Sequence, residues 1–198
     1  MTVVERRPLL AGIFVGGGGT RMGGIKKGLM PAPQGGEAIA ARLCRICREA
    51  LPSSQIVLVG DASAYAELGL ESIADDPSGV GPLGGLRALL AHARASGRQA
   101  LALATDLPYV SPELVRRLGE HAASAAAVAP RMSGFWQPLF ARYASDVCLE
   151  VVDGVLSRGR RALHDVLTAL GERAAVLPLD PAEESLLRDW DTPDDVRG

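Results

Sequence analysis

The segment GGGGTRMGGIKKGL, Gly16 to Leu29, sets a run of glycines beside Arg21, Lys26 and Lys27. Glycine lets the backbone come close to a ligand and turn its N–H groups inward into an anion-binding nest. Cations fixed beside such N–H groups suit a polyphosphate better than a carboxylate. No glycine triplet in the segment has the G-x-G-x-x-G spacing, and no Gly-Lys-Ser/Thr occurs, so neither a dinucleotide fingerprint nor a Walker A loop is present. A second segment, ATDLP, places Asp106 directly after an apolar run. A carboxylate there suits a magnesium ion, which takes one or two protein carboxylates together with substrate phosphates; the same residue could equally close an Asx turn. A third, DWDTPDD, has Asp191 before Thr192 and Pro193, the pattern of a helix start. A fourth, GVGPLGGL from Gly79 to Leu86, offers another close backbone approach at the opening of a helix.

Apolar runs of strand length alternate with helix-period segments along almost the whole chain and must position these residues. Leu9 to Val15 reads as a continuous apolar strand, and Ile39, Leu43, Ile46 and Ala50 follow at helical spacing. Gln55 to Gly60 reads as a second strand, Ala62 to Leu68 as a short helix, ESIAD as a third strand and Leu86 to Ala95 as a helix. Gln99 to Thr105 is another apolar strand, which puts Asp106 at its carboxyl end. Ser111, Pro112 and Glu113 combine an N-cap residue, a proline at the first helical position and a first-turn acid, so a helix starts there. AAAVAPR and PLFARY read as strands, Arg161 to Leu170 as a helix and AAVLPL as a late strand. Continuous rather than alternating apolar strands, separated by helices, predict an α/β fold with a mainly parallel sheet covered on both faces. In such folds ligands bind outside the carboxyl ends of the strands, where the glycine segment and Asp106 fall.

With 198 residues, no linker and no internal repeat, residues 1–198 read as a single domain, at roughly 100–200 residues per domain. Lys+Arg 21 against Asp+Glu 23 leaves a net charge of −2, too little basic character for nucleic acid as a main partner. Aromatic residues at 4% provide no extended stacking platform for single strands. No apolar stretch approaches the ~20 residues of a membrane span. Arg6-Arg7 before an apolar run has the outline of an export signal, but the run ends in glycines and no A-x-A-like site follows, so it reads as the first strand. Cys44 and Cys47 are expected as small buried thiols on one helix face and Cys148 as core, which places the protein in a reducing, cytoplasmic setting. His92, His121 and His164 form no metal or triad spacing.

The segment FVGGGGTRMGGIKKGL resembles the signature loop of the molybdenum cofactor guanylyltransferases (MobA-type), within the wider family of sugar-nucleotide and isoprenoid nucleotidyltransferases. Later segments follow the order of that family: Asp75 before GPLGG, then TDLPYVSPEL, QPLF and WDTPDD. The resemblance implies a Rossmann-like nucleotidyltransferase three-layer sandwich with a mainly parallel sheet, GTP and molybdopterin as substrates, and Mg2+ as cofactor. It also implies GMP transfer to the phosphate of molybdopterin with release of pyrophosphate, and molybdoenzymes or cofactor-delivery proteins as partners. Carried over by position, Phe14, Val15, Gly16, Gly17, Gly18 and Gly19 line the nucleotide site, joined by Val59 at the end of the second strand and by Asp75. Lys27 holds the phosphates, Arg21 stabilises charge on the leaving pyrophosphate, Asp106 binds the metal, and Asp191 is a second metal contact.

The sequence also departs from the pattern of that family. Lys26 stands where an aspartate is common, the loop opens Phe-Val-Gly-Gly in place of Leu-Ala-Gly-Gly, and Asp76 beside Asp75 leaves the register of that acid open by one. Gln137 replaces a histidine before proline and Phe135 a nearby basic residue, changes that bear on the pterin side. Two other readings stand beside the first. Asp189 and Asp191 in place of asparagines resemble a CTP-dependent cytidylyltransferase, and the substitutions as a group would suit a non-catalytic nucleotide- or pterin-binding protein in molybdoenzyme assembly.

Overall fold

The structure is a computed structural model that describes residues 7–16, 26–33 and 35–190. The first strand, β1 (Leu9–Phe14), lies between two parallel neighbours, β2 (Gln55–Val59) and β4 (Gln99–Ala104), pairing Phe14 with Val59 and with Ala104 at their shared carboxyl ends. Leu10, Ala11 and Ile13 are fully buried, as expected of a central strand with both faces covered. The two-residue strand β3 (Ser72–Ile73) flanks β2 in parallel. On the other side β8 (Phe140–Tyr143) runs antiparallel to β4 and to β5 (Ala127–Ala129), and β9 (Ala174–Val176) closes the edge parallel to β5. The seven-stranded order is therefore β3-β2-β1-β4-β8-β5-β9. Because β8 is antiparallel to both neighbours, β5 points the same way as β4.

Helices cover both faces. The helix α1 (Ile39–Ala50) buries Ile39, Leu43, Ile46 and both of its cysteines, and joins α3 (Pro112–Glu120) in one apolar layer. On the opposite face α2 (Pro82–Ala95) packs Leu83, Leu86, Leu89 and Leu90 beside α4 (Ser145–Ser157) and α5 (His164–Leu170). Each fully buried leucine contributes roughly 1.5–3 kcal/mol. The result is the expected three-layer α/β sandwich. Ser111 caps α3 as the sequence predicts, its Oγ accepting from the Leu114 N–H at 3.2 Å.

Several boundaries differ from expectation. Helix α2 begins at Pro82 rather than Leu86, so Gly84 and Gly85 belong to its first turn and not to a loop. Helix α5 starts three residues later than the spacing predicts, and the stretch after Ala62 is 3-10 in form, Ser63–Leu68. Three elements have no counterpart in the sequence reading. These are α4, the short α6 (Pro181–Leu186), and the two-stranded hairpin of β6 (Arg131–Met132) and β7 (Phe135–Trp136).

The chain leaves β1 towards β2 and β3, then returns to place β4 on the other side of β1. This reversal opens a crevice at the carboxyl ends of β1 and β4, the place where open α/β sheets bind ligands.

Candidate functional site

Two strand ends and one helix start build the site. Beyond β1 the backbone N–H groups of Val15 and Gly16 both donate to the Val59 carbonyl, at 3.0 and 3.2 Å, which holds the two strand ends together past the last ladder pair. Gly60 follows with φ 95, and a Cβ on it would meet the Gly16 Cα at 2.8 Å, so the two loops touch backbone to backbone. Such an approach requires glycine. A Cβ at Gly85, in the first turn of α2, would lie 2.9 Å from Asp75 Oδ1, 2.9 Å from a Val59 methyl and 3.1 Å from the Phe14 ring. Phe14, Val15, Gly16, Val59 and Asp75, all expected to contact nucleotide, thus converge at one end of the sheet.

The two neighbouring acids have different surroundings. Asp75 is half-buried, and burial raises its carboxyl above the ordinary value. Asp76 is exposed and paired with Arg87, whose Nε also donates to Asp153 at 2.6 Å. Asp75 is therefore the acid placed beside Gly60 and Gly85.

Across the crevice, Thr105 and Asp106 follow β4. Thr105 Oγ1 donates to the Phe14 carbonyl at 3.0 Å, bridging the two sides of the switch point from a buried position. Asp106 is half-buried, and its carbonyl accepts from the Trp190 N–H at 2.9 Å. Trp190, 3% exposed, also sits edge-on to Tyr109 with ring centroids 6.1 Å apart, so the chain just before Asp191 is fastened to the Asp106 loop.

Lys27 opens a 3-10 turn, Lys27–Leu29. The next residue, Gly28, is buried against Tyr65 and Thr105; a Cβ there would lie 2.7 Å from the Tyr65 hydroxyl. Lys26 Nζ donates to Asp61 Oδ2 at 2.9 Å, tying this turn to the loop after β2. Hydrogen bonds from Ser63, and then the Lys26 ammonium, hold the Asp61 carboxyl well below the usual carboxylate range. Lys26 is thereby a tether between loops. Gly60, Asp61, Gly85, Thr105 and Trp190 were not among the expected site residues, and only the glycines carried a signal that could have marked them. Gly17, Gly18, Gly19, Arg21 and Asp191 lie outside the described residues.

Among the described residues no group of three or more His, Cys, Asp or Glu side chains is placed to hold a metal ion. None of the described helices is long and apolar enough to cross a membrane. Cys44, Cys47 and Cys148 are all buried free thiols.

The chain is 30% identical over 143 residues to a protein of Pelotomaculum thermopropionicum described as "Probable molybdenum cofactor guanylyltransferase", an alignment covering 72% of the chain and 66% of that relative. It is 34% identical over 187 residues to the molybdenum cofactor guanylyltransferase of Pseudomonas putida, covering 92% of each. The crystal structure of molybdopterin-guanine dinucleotide biosynthesis protein A from Archaeoglobus fulgidus superimposes with a TM-score of 0.69 at 24% identity, over 95% of both chains, and shares the fold. The family model for the MobA-like NTP transferase domain matches residues 11–174, from within β1 to the start of β9, and the chain belongs to that family.

Proposed function

We propose that this protein transfers GMP from GTP to the phosphate of molybdopterin, releasing pyrophosphate and forming the guanine dinucleotide form of the molybdenum cofactor. The observation that carries the reading is the crevice between β1 and β4. In a chain of this family, the glycine-rich segment leaves one strand there and a half-buried carboxylate, Asp106, follows the other. Relatives named molybdenum cofactor guanylyltransferase align over most of the chain.

A phosphate oxygen of the acceptor attacks the α-phosphorus of GTP. The new P–O bond forms as the bond to the bridging oxygen breaks, and pyrophosphate leaves with that electron pair. The attacking phosphate is already anionic, so the reaction calls for no general base. Lys27, Arg21 and the backbone N–H groups from Gly16 to Gly19 take up charge that grows on the leaving oxygens. Phe14, Val15, Val59 and Asp75 hold the nucleoside end.

Asp106 fits a magnesium site by its donor chemistry: a half-buried carboxylate at a strand's carboxyl end offers the hard oxygen such an ion prefers, with substrate phosphates completing the shell. Asp191 is proposed as a second contact. The ion, when bound, supplies electrostatic polarisation of the phosphates. Two apolar layers on the two faces of one sheet support a single domain spanning the chain. The three buried thiols suit the reducing cytoplasm.

The test is pyrophosphate release with molybdopterin and GTP, CTP or ATP in magnesium buffer. Release with GTP is expected. Release with CTP alone would move the protein to the cytidylyl class, and nucleotide binding without any release would mark a binding protein.

A further inference from the structure

Molybdopterin carries a planar fused heterocycle, and few aromatic side chains in this protein are available to recognise one. Of the three Phe, three Tyr and two Trp in the sequence, Phe14, Phe140, Tyr65, Tyr143 and Trp190 are buried, and Tyr109 is half-buried against Trp190. The remaining two, Phe135 and Trp136, form β7 of the small hairpin, and Phe135 is 76% exposed.

The hairpin stands at the catalytic end of the sheet. It follows β5, which points the same way as β4, and its exit leads into β8, whose Phe140 pairs with Leu103 of β4. The Ala104 N–H, two residues before Asp106, donates to the Leu139 carbonyl at 2.9 Å. The hairpin is also firmly held. Ser133 and Gly134 at its tip have φ 50 and φ 84, as a two-residue turn of the primed kind requires. Gln137 N–H donates to the Pro130 carbonyl at 3.1 Å, and buried Tyr143 donates its hydroxyl proton to the Pro138 carbonyl at 2.7 Å. Trp136 packs against the core while the Arg131 guanidinium lies 4.2 Å over its ring, a cation–π contact that keeps a positive charge beside the Phe135 strand.

We propose that the Arg131–Trp136 hairpin recognises the acceptor, and that Phe135 sets acceptor affinity by stacking its ring on the pterin heterocycle, with Arg131 as the neighbouring cation. An exposed phenylalanine at the active end is costly in water and gains most by covering a flat apolar face. The proposal rests on the transferase reading above.

Stacking of one ring predicts that Phe135→Ala raises the KM for molybdopterin about tenfold, with kcat and the KM for GTP within about twofold, because the lost interaction is made equally in ground and transition states. Phe135→Tyr should restore the wild-type KM. An unchanged molybdopterin KM in Phe135→Ala, or an equal rise for GTP, overturns the proposal. So does a change of oligomeric mass in that variant by light scattering, which would assign Phe135 to a contact between copies of the chain. Wild-type protein that releases no pyrophosphate defeats the transferase reading instead. The hairpin is then tested by quenching of tryptophan fluorescence with molybdopterin, where binding about tenfold weaker in Phe135→Ala is expected and equal binding refutes it.

Discussion

Asp106 and Asp61 show what one carboxylate can do at a strand end and what a second does one strand away. Asp106 follows β4 at the switch point, so removing its side chain is expected to lower kcat by about 10²-fold or more. The backbone link from Trp190 to its carbonyl does not need the side chain, so Asp106→Ala should keep a native circular dichroism spectrum. Pyrophosphate release near the wild-type rate in that variant would remove Asp106 from the chemistry. Asp61 works through Lys26, whose ammonium ties the Lys27 turn to the loop after β2. With its carboxyl held far below neutral, the tether exists above the ordinary carboxylate range and is lost only as pH falls through the depressed value, well below assay conditions. Asp61→Asn is therefore expected to raise the KM for GTP several-fold at constant kcat, with the difference shrinking in high salt as screening weakens the native pair. Equal GTP kinetics at low and high salt would show that the pair does not position Lys27. The sequence displays both Lys26 and Lys27 as cations beside glycines. Only the fold separates them, because the partner of Lys26 is 35 residues away. The Thr105 bridge to Phe14 spans 91 residues and is hidden for the same reason.

At the scale of elements, the start of α2 decides where Asp75 stands. A Cβ at Gly84 would run into the Pro77 carbonyl, while the Gly84 carbonyl accepts from the Asp76 N–H at 3.2 Å. The loop that carries Asp75 thus lies directly against the helix backbone. Gly84→Ala must push that loop away, at an expected stability loss of about 1–3 kcal/mol with weaker GTP binding. Denaturant unfolding and nucleotide titration of the variant check both, and native stability with native affinity would show that the loop yields freely. Reading Leu86 as the helix start came from treating paired glycines as loop, a propensity argument that tertiary packing overrides here. Helix α4 went unread because it has no side-chain N-cap and carries Gly154 inside, leaving only Cys148, Val152 and Val155 to show a period. For α6 the signal was present, since Asp180, Pro181 and Glu183 form a capping box at its start. The hairpin was hidden because two-residue strands have no period to read.

Across the whole molecule, the α/β class and the covered sheet followed from apolar runs too continuous for a one-sided sheet. The insertion of antiparallel β8 between β4 and β5 did not, because pairing order depends on contacts far apart in sequence. The two apolar layers that flank the sheet each contain thiols: Cys44 and Cys47 in one, Cys148 in the other. Burial pushes Cys44 up to about 11, and Cys47 and Cys148 up to about 12, from an ordinary 9.0. A folded value above the unfolded one favours the native state fully below pH about 9, where both states hold the proton. Above it the unfolded thiols ionise first, and each adds a destabilising slope of about 1.4 kcal/mol per pH unit until the folded thiol also ionises. Buried Tyr143, raised in the same direction by burial, adds a slope of the same sign above its own ordinary value of 10.0. Urea unfolding midpoints should therefore be flat from pH 7 to about 9 and fall steeply beyond it. Cys47→Ala should flatten part of that fall while losing some stability at neutral pH through the cavity it leaves. Native protein at pH 8 should resist a thiol-specific disulfide reagent and react at all three cysteines once unfolded. Rapid labelling of the native state, or a midpoint independent of pH up to about 11, would show that the layers admit solvent and that the thiols are not part of a closed core.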